Sequence, residues 1–434
     1  MRFSGLRSAS PENDGKQPLP LAGQIRSDPL KAVRRPEREE CGMKGWIAGV
    51  LGVVGVMVTG MAQAQDLIVE KKVFDLPSYT TQGGRTLKNV KVGWESYGTL
   101  NADKSNAILI CHFFSANSHA AGKYAAADAA PGYWDAIIGP GKAIDTNKYF
   151  VLSSDTLVNL NAGDPKTTTT GPASIDPDTG KPYALDFPVV TVGDFVNVQK
   201  ALVESLGIRK LVMVAGPSMG ALQTYEWAAS HPDMVGKAMA VIGAAEADAQ
   251  LIAWLDVWAA PILLDPNWNK GDYYGKTPPN AGLAKALTVL TLQANHGDWT
   301  NGTFGRRPAK EGEDPAKALG NKFQVQSILD NAGEARAKVS DANHFLYLVK
   351  ANQLYAAGGK SLADAMSRIK APLLIISQPK DLVFPDEMIQ RTVAEAKKAG
   401  RDVSHATIQG TRGHLDGVIS MKQAEATVKA FLEK

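Results

Sequence analysis

Residues 211–223, LVMVAGPSMGALQ, decide the fold. An apolar, β-compatible run ends in Gly216-Pro217-Ser218-Met219-Gly220, and a helical pattern starts at once, with Leu222, Tyr225, Trp227 and Ala228 on helical spacing. A strand, then G-x-S-x-G, then a helix is a sharp turn that lifts a serine hydroxyl above a sheet edge. Glycine is needed at 216 and 220 because a Cβ there would strike the strand or helix packed behind the serine. The five-residue pattern also recurs in Gly-rich βα turns with no chemistry. The strand and helix on either side favour Ser218 as a nucleophile.

Outward from this turn, strands and helices alternate. Residues 71–76 and 90–97 read as a hairpin around Gly83-Gly84, and 107–112 and 149–153 as buried strands. A helical pattern from Val192 through Leu206 stops at Gly207, and 238–242 is a further strand. This alternation predicts an α/β fold, a mostly parallel sheet with helices on both faces. From about Glu246 to Gly359 the chain is helical or irregular, holds Trp254, Trp258, Trp268 and Trp299, and shows no clear strand. Residues 246–359 are therefore expected to form a helical lid inserted into a core made of 65–245 and 360–434. Strands at 372–377 and 403–408 and a helix at 421–432 complete that core. A helical bundle serving only as packing or dimer surface is the competing reading of the insert.

The N-terminal segment has a different character. Residues 1–42 are rich in Pro, Arg and Glu without apolar periodicity, as expected of a disordered or untranslated upstream segment. Met43-Lys44, an apolar stretch to about Met57 and Ala62-Gln63-Ala64 then spell a signal peptide over 43–64. The apolar stretch is short for a membrane span, so a periplasmic or secreted protein with no stable span after cleavage is expected. Residues 1–64 hold nine of the 47 Lys/Arg and six of the 44 Asp/Glu, leaving 38 of each and a neutral remainder. Without a basic surplus, a nucleic-acid partner is excluded. Cys41 and Cys111 cannot build a disulfide framework once the first is removed, and Cys111 is expected to pack in a buried strand.

A serine hydroxyl needs a general base held by a carboxylate. On a sheet of this kind the order is Ser, acid, His, each after a strand end. Asp381, in SQPKDLVFP, and His414, in QGTRGHLDG, meet that order, with Asp386 and Asp416 as rival acids. The developing oxyanion needs two N–H donors, expected from Met219 and from Phe113 or Phe114 in HFFSANSHAAG. No zinc spacing, Walker loop or dinucleotide fingerprint occurs, so neither cofactor nor metal is expected.

With these residues placed, the chain resembles the homoserine O-acetyltransferase family of the α/β-hydrolase superfamily over nearly all of 68–434. The resemblance is carried by CHFFSANSHAAG, GPSMGALQTYEWA, DPNWNKGDYYGKTPP, FGRR and KDLVFP. It implies a triad of Ser218, Asp381 and His414, a ping-pong acyl-enzyme, an oxyanion donor at Phe114, a helical lid and a homodimer. Departures bear on the substrate. Ala259 stands where the family has a carboxylate-binding arginine, and Leu415 where it has an acid after the histidine. Pro217 and Ala221 replace glycines, and VNLNAGDPKTTTT replaces a shorter Gly-rich segment. Lys270 and Arg306 are cations that could stand in for the missing arginine. Trp254 and Trp258 are expected to make that side of the pocket apolar. The expected function is hydrolysis of a small-molecule carboxylic ester through a covalent acyl-enzyme. The alternatives are O-acyl transfer to a hydroxyl acceptor and an inactive binding protein on the same fold.

Overall fold

The computed structural model describes residues 67–434, so the expected upstream segment and signal peptide at 1–64 lie outside the described residues. Eight strands form the main sheet: β1 (Lys72–Thr80), β2 (Thr86–Tyr97), β3 (Ala107–Cys111), β4 (Phe150–Ser154), β5 (Met213–Pro217), β6 (Ala238–Val241), β7 (Leu373–Ser377) and β8 (Val403–Thr407). Their order across the sheet is β1-β2-β4-β3-β5-β6-β7-β8. Only the pairings made by β2 are antiparallel; the others are parallel. Strands β3 to β7 are buried along their whole length, which is why they read as continuous apolar runs. β1, at one edge, alternates between half-buried and exposed.

Helices cover both faces. α1 (Val192–Ser205) and α2 (Met219–Ser230) pack in one apolar cluster with Leu109, Val214 and Ile375. α1 begins where it does because Thr191 and Asp194 form a capping box. The opposite face packs Ile108, Ala215 and Ile376 against Trp134 and Phe431.

After β6 the chain leaves the sheet for an insert whose α-helices are α3 (Ala249–Leu264), α4 (Asn280–Gln293), α5 (Gly297–Thr303), α6 (Gln324–Ala337) and α7 (Ala342–Gln353). α4 and α6 approach closely at Gly333, where a Cβ would lie 2.3 Å from Ala284 O. α8 (Leu362–Arg368) and α9 (Asp386–Lys398) flank β7, and α10 (Asp416–Ile419) and α11 (Glu425–Glu433) end the chain. Among the described residues, no helix is long and apolar enough to cross a membrane.

Candidate active site

The turn between β5 and α2 is held by its neighbours. Ser218 takes φ 58° and ψ −123°, a conformation that costs a non-glycine residue about 1–3 kcal/mol. Its N–H donates to Val241 O at 2.9 Å, and its carbonyl accepts from Ala221 N at 2.7 Å. Added Cβ atoms at Gly216 and Gly220 would lie 2.5 and 2.1 Å from Cys111 O, so the carbonyl of β3 forbids side chains on both sides of the serine. Cys111 itself is buried, with its thiol pKa raised by burial.

The three expected partners meet. Ser218 Oγ lies 2.9 Å from His414 Nε2, and His414 Nδ1 lies 2.7 Å from Asp381 Oδ2. Asp381 Oδ1 accepts from Val383 N at 2.7 Å and Phe384 N at 2.9 Å, which leaves Oδ2 for the histidine. All three residues are buried, and the Phe384 ring stacks on His414 at 5.8 Å. Gly413, with φ 64°, brings the His414 turn against the Asp381 loop: a Cβ there would lie 2.6 Å from Lys380 O. The rival acids are engaged elsewhere. Asp416 accepts from Gln378, Arg412 N and Ser420, and Asp386 faces Ser377.

The loop after β3 is braced by residues that the sequence did not single out. The Phe113 carbonyl accepts from His112 Nδ1 at 2.8 Å and from Ala116 N at 3.0 Å. A trans peptide points its N–H opposite its carbonyl, so these two bonds turn the Phe114 N–H the other way. Neither Phe114 N nor Met219 N has a protein acceptor among the described residues. Asn159 donates to His112 Nε2 at 3.2 Å and to Ala116 O at 3.0 Å, and its own carbonyl accepts from His344 Nδ1 of α7 at 2.8 Å. The VNLNAGDPKTTTT segment thus ties the β3 loop to the lid. Burial pushes the His112 pKa down to about 4, which keeps its ring neutral. Below this loop, Glu95 accepts from Tyr97, Ser118, His119 and Tyr124 and pairs with Lys71, anchoring residues 118 and 119 to β2.

A cavity of about 140 Å³ opens over Ser218 and His414, walled by Phe114, Trp258, Leu290 and Arg336 among others. Trp258 meets Phe114 edge-on at 5.5 Å and donates to Gln293 Oε1 at 2.6 Å. Several lid expectations are corrected here. Trp254 is 37% exposed and borders a separate groove with Leu382 and Arg391, since one helical turn of about 5.4 Å carries it past the cavity rim. Ala259 is buried in the core cluster and does not border the cavity. Lys270 and Arg306 are exposed, Arg306 over the Phe323 ring, and neither borders the cavity. Arg336, which belongs to no motif in the sequence, does.

An α/β-hydrolase fold family model matches residues 106–405. The homoserine O-acetyltransferase of Methanococcoides burtonii is 39% identical over 355 residues, 82% of this chain and 71% of that one. The chain belongs to this family. Among solved structures, a homoserine O-acetyltransferase from Bacillus anthracis matches with 37% identity and a TM-score of 0.80, covering 85% of this chain and 98% of that one. Esterase E22 matches with 49% identity and a TM-score of 0.81, covering 84% and 100%. This chain is accordingly an enzyme of the hydrolase and acyltransferase kind.

Proposed function

We propose that the protein transfers an acyl group from an ester to a hydroxyl acceptor through a covalent intermediate on Ser218. The hydrogen-bonded line from Asp381 through His414 to Ser218, directly beneath the cavity, carries this reading. His414 Nε2 takes the Ser218 proton as Oγ attacks the ester carbonyl. The Phe114 and Met219 N–H groups stabilise the oxyanion. The leaving alcohol departs with the proton from His414, and the incoming hydroxyl reverses the sequence, restoring Ser218.

Relatives that act as homoserine O-acetyltransferases draw the balance toward transfer and away from the hydrolysis expected from sequence. Hydrolysis stays as a second reading, favoured by the apolar Leu415 in the cavity wall and by the similarity to an esterase. Product partitioning decides between them. With a p-nitrophenyl ester as donor and a hydroxyl acceptor at millimolar order, transfer predicts acylated acceptor in excess of free acid. Free acid alone, with every acceptor in the panel, would establish hydrolysis. Labelling with a fluorophosphonate tests the nucleophile, since an inactive binding protein would give no adduct on Ser218. Export, proposed from residues 43–64, would separate the enzyme from cytoplasmic acyl-CoA and favour an ester donor. Cell fractionation that leaves residues 43–64 intact in the cytoplasm would refute it.

A further inference from the structure

The lid brings one fixed positive charge to the cavity, and among the described residues no carboxylate answers it. Arg336, in the last turn of α6, borders the same cavity as Ser218 and His414. Its Nη1 donates to Thr291 Oγ1 at 2.9 Å, and that hydroxyl is itself committed to Leu287 O at 2.6 Å. Its Nη2 is sealed from solvent and makes no hydrogen bond. Among the described residues, no Asp or Glu oxygen lies within 4.0 Å of the guanidinium. Burial pushes its pKa down to about 10, so it remains charged at neutral pH.

A cation whose head group is partly sealed from water and has no counter-charge is costly. Elsewhere this protein handles such a charge differently: the largely buried Lys71 meets both Glu95 and Asp155 at 3.3 Å. Around Arg336 the cavity wall offers Phe114, Trp258 and Leu290, and none of the described residues that border the cavity is acidic. The fork of a guanidinium matches the two oxygens of a carboxylate. The cavity therefore has a partner for a carboxylate and none for an ammonium.

We propose that Arg336 forms a carboxylate subsite, so that the substrate reacting at Ser218 carries a carboxylate and no ammonium group. The proposal rests on Ser218 being the acylated residue. At about 140 Å³ the cavity holds the equivalent of about five waters, which limits the substrate to short chains. Two sources share this chemistry. The carboxylate sits in the acyl half, as in a half-ester of a short dicarboxylic acid, or in the hydroxyl half, as in a short hydroxy acid acceptor.

The first arm compares p-nitrophenyl hemisuccinate with p-nitrophenyl butyrate. The second compares 3-hydroxybutyrate with its methyl ester as acceptors from p-nitrophenyl acetate. The wild type should favour the carboxylate compound by about tenfold or more in one arm, and that ratio should collapse toward unity in Arg336→Gln and survive in part in Arg336→Lys. Equal ratios in wild type and Arg336→Gln in both arms would overturn the proposal. Calorimetry with succinate reads the subsite without turnover: Ser218→Ala should bind it, and Ser218→Ala with Arg336→Gln should not. Succinate binding without turnover of any ester would leave the subsite standing and remove the acyl-transfer reading. Ester turnover with neither succinate binding nor a charge preference would do the reverse.

Discussion

Ser218, Asp381, His414 and Phe114 all lie within seven residues of a strand end. Trp258, Leu290, Thr291 and Arg336 reach the same cavity from three separate lid helices. The first group is placed by backbone register and by turns only a few residues long. The second is placed by how helices pack, over distances in sequence that no local pattern spans. On the proposed reading the sheet edge fixes the reaction, and the lid fixes what may react. The largest effect should come from the sheet edge. Ser218→Ala or His414→Ala should lower the rate by about a thousandfold or more with the fold intact, and steady-state kinetics with a p-nitrophenyl ester would read it. A loss below about tenfold would mean that the sheet edge carries no covalent chemistry.

Trp258→Ala should act on stability and on selection more than on the chemical step. Removing a buried tryptophan costs about 3 kcal/mol or more and leaves Gln293 without its donor. It should also admit longer acyl groups, because Trp258 closes the cavity over Phe114. Denaturant unfolding and a chain-length series of esters would measure both. An unchanged chain-length profile would place acyl selection outside the lid.

These two expectations track what could be read from the sequence. The strands, the turn at Ser218 and the acid and histidine after later strands were legible because each depends on neighbours along the chain. The strand boundaries fell within a few residues of those found, and β1 ran four residues past its predicted end. Asp381 was separable from Asp386 by its distance from β7 alone. The lid obeyed no such rule. Trp254 and Trp258 share a spacing that suggests one face, yet only Trp258 borders the cavity. Arg336 has no motif; its role depends on α6 crossing α4 at Gly333, a tertiary contact. His112 and Asn159 were invisible for the same reason, since their bond joins residues 47 positions apart. The only local hint was a histidine placed directly after a buried strand.

The brace between the two regions should have an intermediate effect. Asn159→Ala removes the donor to His112 Nε2 and loosens the Phe113–Phe114 peptide. We expect kcat to fall by about tenfold with KM little changed, as for a group that acts only on the transition state. A change confined to KM would make the loop a binding element instead. The same histidine gives an acid dependence. Its pKa falls from an ordinary 6.5 to about 4 in the fold, so between these values the unfolded chain binds more protons. Stability from neutral His112 is therefore complete above about pH 6.5 and declines as pH falls toward 4, by about 3 kcal/mol in all. Unfolding free energies at pH 7 and pH 4.5 should differ less in His112→Asn than in the wild type.

The smallest effect should come from the visible bridge between the regions. Lys380, next to Asp381, pairs with Asp298 of α5, and both side chains are nearly half exposed. The hydrogen bond from Lys380 draws the Asp298 carboxyl below its usual range, so the pair persists until the medium turns acidic. Exposed pairs gain little over their hydrated partners and weaken with salt. The lid has less exposed attachments at the same junction: Gln293 donates to Leu382 O at 2.9 Å, and the half-buried Arg412 donates to Asn295 at 2.6 Å while lying over the Trp299 ring at 4.0 Å. Asp298→Asn should therefore leave the unfolding midpoint, kcat and KM within error of the wild type, and added salt should not mimic the substitution. A raised KM in Asp298→Asn, reproduced in wild type by salt, would show instead that surface charge holds the lid closed. Acceptor selection would then depend on ionic strength, and the division between a fixed sheet edge and a packed lid would have to be redrawn at α5.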